Sequence, residues 1–533
     1  MAEVLICGAG PTGLTLAIEL ARRNVDVRII DKETTPPDNA RALVMKPCSL
    51  IAAERMGFLD RLLEEGVAVD TMSYSFEGRI IATATSSSVR WPWNHNVGED
   101  RVVPLLTDVL QRFGVLVERG IELKGFEQRE AAVDVSLENR LGHAETVTVG
   151  WLIGCDGVHS PVREGAGIAF DGHEKTLNWH VLDADIDGWP YKDSTGMLFF
   201  ESLLVGVYRT RDVYRIYSAS FERSKESWSR VRDFLRQHVP SAELGPPLSD
   251  TEFHSVSKMS ASFRKGHILL AGDAAHAMSP SGGLGLNCGI QDALNLGWKL
   301  ASVIRGHSED ALLDTYSSER RTAAEGCQTV SQRNDDLFSI TDPSERSRAF
   351  RRFVVGFTHY MANGGNGWEP VMGPYESSLV VQEAAPEFGP RPGEFLPAEI
   401  RLATAEGRPC WLTGAIAGTD HTLLVFTADG GVEAEQLVRQ AIDFCRGSSG
   451  AISLCVVARS IEGAAARTAL ADKNTELLVD TDLHAHNFLG VIERCAMWIR
   501  PDGWIGARED DLVDISGIES VFKAAFSGLF EQN

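Results

Sequence analysis

Residues 154–163 read GCDGVHSPVR, directly after the apolar run VTVGWLI, so Cys155, Asp156, His159 and Ser160 fall within six positions. Such side chains support three kinds of chemistry. They could form a nucleophile with its base or the donors of a metal site. They could also decorate a backbone turn whose geometry matters more than its side chains. A Ser–His pair needs a third, orienting acid and an oxyanion hole, and near neighbours on one turn rarely meet that geometry.

The elements that would position this segment start at the N-terminus. VLIC reads as a short buried strand, and TGLTLAIELARR (12–23) as a helix with Leu14, Ala17, Ile18 and Ala21 on its apolar face. VDVRIID follows as a second strand. Gly8, Gly10, Pro11, Thr12 and Gly13 lie between first strand and helix. In such a unit the first glycine allows the tight turn and the second lets the backbone approach a pyrophosphate. The third lets helix and strand pack closely. The helix N–H groups then face the anion. Asp31 ends the second strand, where a carboxylate accepts from an adenosine ribose, and Lys32 follows it. The fingerprint predicts dinucleotide binding and does not separate NAD from FAD.

A second constellation reads HILLAGDAAHAMSPSGGLGLNCGIQDALNLGWKLASVI (267–304). HILLA is a strand and Asp273 stands at its end, placed to bond ribitol or ribose hydroxyls. Pro280, Gly282, Gly283, Gly285 and Leu286 form a loop that a flat ring can approach closely. The helix that opens near Asn287 points its positive end at that ring. A reduced flavin carries negative charge near N1 and O2, which a helix N-terminus stabilises. His276 reads as a structural histidine.

At 533 residues the chain exceeds one simple core and should divide into two or three domains. A net charge of -23, with no basic face in the sequence, argues against a nucleic-acid partner. The nine cysteines are scattered, without CxxC or zinc spacing, so a reducing, cytoplasmic setting and no metal are expected. Met1 runs straight into VLICGAG without a basic leader region, and no apolar stretch is long enough for a membrane span.

GAGPTG with Asp31, GCDGVHSPVR, and the Gly-Asp constellation together closely resemble the class A flavoprotein monooxygenases, the FAD-dependent aromatic hydroxylases. The resemblance covers roughly the first 340 residues and extends to LLDTYSSERR (312–321). It implies bound FAD and a transient NADPH or NADH donor without its own Rossmann domain, since no second GxGxxG is present. Arg41 would contact the FAD pyrophosphate and the donor. Asp156 and Gly157 would organise a turn near FAD, with Arg163 as its anchor, so that His159 and Ser160 are not a nucleophilic pair. Pro104 and Leu105, and Leu284, depart from the family, where Gln is frequent.

The implied fold is α/β: a Rossmann-like FAD-binding domain, an inserted antiparallel-sheet substrate domain of the para-hydroxybenzoate hydroxylase kind, and a thioredoxin-like C-terminal domain. The expected boundaries are 1–75 with 100–175 and 260–345 for FAD, and 76–99 with 176–259 and 346–385 for substrate. A Pro/Gly-rich linker over 386–398 and the C-terminal domain over 399–533 complete them. MLFFESLLVGVYRT and VYRIYSASF should form the sheet over the flavin, with RWPWNHN as a further wall. Trp91, Trp93, Tyr208 and Tyr217 suit a flat aromatic ligand, although core packing is the commoner role for any one of them. His95 and Tyr217 are the catalytic candidates, and His254 could accept a phenolic proton. The resemblance implies O2-dependent hydroxylation of a phenolic or polyketide-type ring through a C4a-hydroperoxyflavin. Baeyer–Villiger oxidation on the same scaffold, or sequestration of a drug or metabolite, stands as the alternative. The expected partners are a small aromatic or polycyclic molecule and no nucleic acid or membrane. A homodimer is a further expectation, since the C-terminal part resembles that of the phenol hydroxylase and aromatic polyketide hydroxylase branch, where dimers are common.

Overall fold

The computed structural model describes residues 2–36, 42–76, 79–86, 88, 90–92, 94–191, 196–200, 204–220, 227–362, 369–428 and 431–530. The chain divides into two units. One comprises Met1–Ile18, Asp26–Ala293 and Ala324–Val371, the other Glu19–Val25, Leu294–Ala323 and Met372–Asn533.

In the first unit a six-stranded sheet runs in the order Arg264–Lys265, Ile268–Leu270, Trp151–Gly154, Val4–Cys7, Val27–Asp31, Val117–Arg119. The strands from Ile268–Leu270 to Val117–Arg119 are mutually parallel. Val4–Cys7 and Trp151–Gly154 are buried at every position, as expected for parallel strands covered on both faces. Helix Pro11–Ala21 follows the first strand, close to the expected span.

A second sheet of the same unit has eight strands, in the order His276–Ala277, Ser249–Ser260, Phe170–Ala184, Tyr214–Ser220, Leu204–Arg209, Gly196–Phe200, Thr71–Phe76, Arg79–Thr85. It is antiparallel except for the parallel pairing of Gly196–Phe200 with Thr71–Phe76. The expected antiparallel sheet is therefore present. The boundaries drawn at 75/76 and 175/176 fall inside its strands Thr71–Phe76 and Phe170–Ala184. Helix Pro343–Ala362 lays Phe350, Phe353 and Phe357 against Tyr74 and Phe76 of this sheet.

The second unit is built on a seven-stranded mixed sheet. Its order is Pro409–Trp411, Arg401–Thr404, Thr475–Val479, Ile452–Ala458, His421–Thr427, Arg494–Ile499, Ile505–Asp510, with the three middle strands parallel. Helix Val432–Gly447 packs Leu437, Val438 and Ala441 into its core. The stretch 386–398, expected as a linker, is strapped to the last hairpin: Gly393 N–H donates to Ile505 O at 2.8 Å and Leu396 N–H to Gly503 O at 3.0 Å. Pro/Gly-rich composition reads alike for a free linker and for an extended strap, and the hydrogen-bond partners decide between them. Among the described residues no helix is long and apolar enough to cross a membrane.

Candidate functional site

Register brings the three sequence motifs together. Cys7 pairs with Gly154 and Gly154 with Leu270, so GAGPTG, CDGVHS and GDAAH all leave the carboxyl ends of adjacent parallel strands. Cys155 N–H donates to Cys7 O at 2.8 Å, and Ala271 N–H to Gly154 O at 3.0 Å. Strand order reverses here, with Val27–Asp31 on one side of the first strand and Trp151–Gly154 on the other, the switch point at which open α/β sheets bind ligands. The close packing demands glycine: Gly8 has φ +103, and a Cβ there would lie 2.2 Å from Cys155 O. A Cβ on Gly10, by contrast, meets nothing within 4 Å, so this face of the turn is open to an anion.

Asp31 stands where expected, and its carboxylate holds the turn. Oδ2 accepts from Ala9 N–H and Oδ1 from Glu33 N–H, both at 2.8 Å. Lys32 is exposed. In the opening segment, Ser160 is fully buried and caps the helix Pro161–Gly165 by accepting from Arg163 N–H at 2.9 Å. The Arg163 guanidinium donates to Val158 O at 2.9 Å and Ala274 O at 3.0 Å, tying two motifs to each other. Asp156 Oδ2 accepts from Val162 N–H, while Oδ1 is buried without a partner among the described residues. Burial pushes its carboxyl up, against hydrogen bonds from Ser160 and Val162. The segment is a capped turn.

Asp273, Pro280, Gly283, Gly285 and Leu286 line a cavity of about 820 Å³. The helix behind them spans Gly285–Ile304. Asn287, expected among the cofactor-binding residues, has its side chain committed within the protein. Its Oδ1 accepts from Lys46 N–H and Ser49 Oγ–H, and its Nδ2 donates to Val44 O and Gly283 O, at 2.7–3.0 Å. Two lone pairs and two side-chain N–H groups are thereby used, so the Asn287 side chain positions the loop, while its backbone N–H in the first turn of the helix faces outward for a ligand. His276 is fully buried and bonded to Asp292 Oδ2 at 2.6 Å, with Cys288 Sγ at 3.8 Å. Burial opposes its charge, but Cys288 and Asp292 outweigh that and hold its pKa well above the usual value. The Nε2–Oδ2 contact is a hydrogen bond within a buried group of His276, Asp292 and Cys288.

The opposite walls of the cavity are aromatic: Tyr74, Trp179, Tyr208, Tyr217, Phe253, Phe338, Phe353 and Phe357, with His254 also at the lining. Tyr208 and Tyr217 meet edge to face at 5.7 Å. Burial pushes both phenols far above the ordinary tyrosine value. Tyr217 thus stands at the cavity as expected, and a phenol held protonated donates hydrogen bonds and is no base near neutrality. His95 is corrected. It sits in the strand Asn94–Asn96 with its Nε2 at 3.2 Å from Leu62 O, and burial pushes its pKa down. Alternate strand residues face opposite sides, and here Asn94 lines the cavity while His95 does not. Trp91 is buried away from the lining, under Arg90. Trp93 and Arg41 lie outside the described residues. Sequence reasoning missed Lys46, Arg333 and the Phe353/Phe357/Tyr360 face. The i, i+4, i+7 spacing of the last three in FRRFVVGFTHY was the available signal.

The open anion-facing turn and the glycine loop under a helix N-terminus fit FAD. Comparison with known proteins agrees. A family model described as FAD binding domain matches residues 1–331. The chain is 36% identical over 330 residues to 6-methylpretetramide 4-monooxygenase of Streptomyces rimosus, covering 60% of this chain and 59% of that protein. It is 34% identical over 337 residues to pentachlorophenol 4-monooxygenase of Sphingobium chlorophenolicum, covering 61% and 62%. The matched stretch thus spans about three fifths of these relatives. Among solved structures, the anhydrotetracycline hydroxylase OxyS of Streptomyces rimosus aligns with TM-score 0.74 at 26% identity, over 98% of this chain and 99% of that one. The flavin-dependent monooxygenase PieE shares the fold with TM-score 0.80 at 20% identity, over 99% of both chains. With 331 of its 533 residues matched end to end, the chain belongs to the FAD binding domain family.

Proposed function

We propose that the protein is an FAD-dependent monooxygenase that uses NADPH or NADH and O2 to hydroxylate a phenolic aromatic or polycyclic small molecule. The observation that carries this reading is one continuous cavity of about 820 Å³, lined on one side by the 278–286 loop and on the other by aromatic side chains. Such a volume suits a fused-ring ligand beside a cofactor ring. The named substrates of the relatives, a phenol and a pretetramide, have the same chemical character.

FAD, when bound, supplies hydride acceptance from the nicotinamide and activation of dioxygen. This chain's residues bind, orient and exclude water. The apolar walls keep the reacting space dry. The Tyr208 and Tyr217 phenols, protonated throughout the working range, serve as donors to a substrate oxygen. Lys46, at 4% exposure, lines the same cavity. Burial pulls its pKa down to about 8 against the opposing pull of Cys48 and Glu369, so near neutral pH it still carries charge and favours an ionised ring oxygen. Asp31 and Asp273 are the acceptors for sugar hydroxyls in this reading, and Arg41 the pyrophosphate contact. We assign the C-terminal unit a packing role: a thioredoxin-like domain without CxxC has no dithiol chemistry.

The test is NAD(P)H oxidation by the purified flavoprotein with a panel of phenols and polycyclic phenols, coupled to product analysis. Acceleration with a hydroxylated product is expected. A ring-expanded lactone would replace hydroxylation by Baeyer–Villiger chemistry. Tight binding without acceleration by any aromatic would replace it by sequestration.

A further inference from the structure

We propose that Arg333 sets the substrate specificity of the cavity by pairing with an anionic oxygen, a carboxylate or an ionised enol, carried by the aromatic substrate; this rests on the hydroxylase reading above. Helix Leu312–Phe338 presents Val330, Arg333, Asn334 and Phe338 to the cavity, the i, i+3, i+4, i+8 stripe of one helix face. Val330 and Phe338 give the wall apolar surface on either side of Arg333, and Asn334 is turned to the 279–281 loop.

The backbone beneath Arg333 is fixed. Asn334 Nδ2 donates to Ser281 O at 3.1 Å, and Asp335 accepts from Ser279 Oγ at 2.8 Å and from Ser281 Oγ. The acids closest in sequence are thus committed elsewhere, Asp335 to those serines and Asp336 to Gln332. Among the described residues Arg333 has no ion pair or hydrogen bond, although the chain carries 74 acidic residues against 51 basic ones. Other arginines find carboxylates, as Arg28 does with Glu118 and Arg215 with Asp183. The other charged groups at the lining are Glu369, which accepts from Tyr360, Lys46, which is buried, and Asp273, which stands at the end of strand Ile268–Leu270 and forms no ion pair with Arg333. Arg333 is exposed at the cavity and available. A guanidinium presents a planar fork matched to two coplanar oxygens, which a carboxylate or an ionised 1,3-dicarbonyl offers and a simple phenol does not.

The test compares two probes of nearly equal shape, 3-hydroxy-2-naphthoate and 2-naphthol, binding to the oxidised FAD-loaded enzyme, followed by perturbation of the flavin absorbance. A charge-assisted pair corresponds to roughly tenfold tighter binding of the naphthoate by the wild type. Arg333→Met should abolish that preference while changing 2-naphthol affinity less than about twofold, and Arg333→Lys should retain part of it. Equal affinity of the two probes for the wild type overturns the proposal, and so does binding of neither. A preference that survives in Arg333→Met overturns it too. An unchanged preference with a raised KM for NADPH would assign Arg333 to the donor's phosphates instead. Failure here leaves oxidation of NAD(P)H with neutral phenols intact, whereas failure of the hydroxylase reading appears as no acceleration by any aromatic.

Discussion

Asn287 contributes through what it holds. Removing its side chain strands the Ser49 hydroxyl and the Lys46 N–H, together with the carbonyls of Val44 and Gly283, in a buried place. Asn287→Ala should therefore destabilise the protein by about 2–5 kcal/mol and loosen FAD. The urea midpoint and the flavin-to-protein absorbance ratio after gel filtration check this, and a wild-type ratio would refute the clamp. His95 gives the converse case. Because its ring bonds Leu62 O outside the cavity, His95→Gln should cost about 1–2 kcal/mol of stability and leave kcat within about threefold. Tyr217→Phe should raise KM for a phenolic substrate without shifting the pH profile of kcat below pH 10. Loss of the acidic limb in that profile would instead make Tyr217 a general base. The burial-raised phenols also work against folding above pH 10, where the unfolded tyrosines ionise first.

At the scale of elements, the second unit contains a buried charge cluster with a readable pH signature. Arg500, in the last hairpin, bonds Glu319 with both terminal nitrogens at 2.8 Å and Asp502 at 2.5 Å; Lys299 Nζ reaches Glu319 at 2.7 Å. Burial alone would raise the Glu319 carboxyl, but Arg500 and Lys299 outweigh it and bring the pKa down to about 2. An acid whose folded pKa lies below its unfolded value adds stability that is complete above the unfolded pKa. That stability, on the order of 2–4 kcal/mol, is lost as pH falls from about 4.5 toward 2. Equilibrium unfolding between pH 6 and 2.5 should show it, and Glu319→Gln should flatten the slope. The same substitution leaves Arg500 and Lys299 under-compensated and should cost about 3–5 kcal/mol at pH 7. A Glu319→Gln protein as stable as wild type would show that the cluster is not what holds these elements.

Taken as a whole molecule, the fold presents its nucleotide site at strand ends that meet only in the native state, so FAD should bind the folded chain alone. FAD at 100 times its Kd should then stabilise by about 2.7 kcal/mol, with a Tm that climbs with FAD concentration. Thermal scans of the apoprotein across a titration test this; a Tm indifferent to FAD would remove the cofactor from the cavity.

The local units were legible because their signals are local. Gly8, Gly10, Gly13 and Asp31 fall within one βαβ stretch, and Asp273 with the 280–286 loop within another, so turn chemistry and helix periodicity suffice to recognise them. The strands of the C-terminal sheet show in the same way, as apolar runs. Which side chains share the cavity was not legible. Tyr208, Phe253 and Arg333 come from different strands and helices, and their meeting depends on strand order and register. Asn94 and His95 are adjacent in sequence, yet pleat alternation sends one to the cavity and the other to Leu62. Residue types and short spacings, by themselves, pointed to a dinucleotide and to the motifs expected at it, and the family resemblance narrowed the dinucleotide to FAD. Which polar groups are already consumed, which are free, and which face the ligand was decided only by the tertiary fold, because hydrogen-bond saturation and burial belong to contacts between segments far apart in the chain.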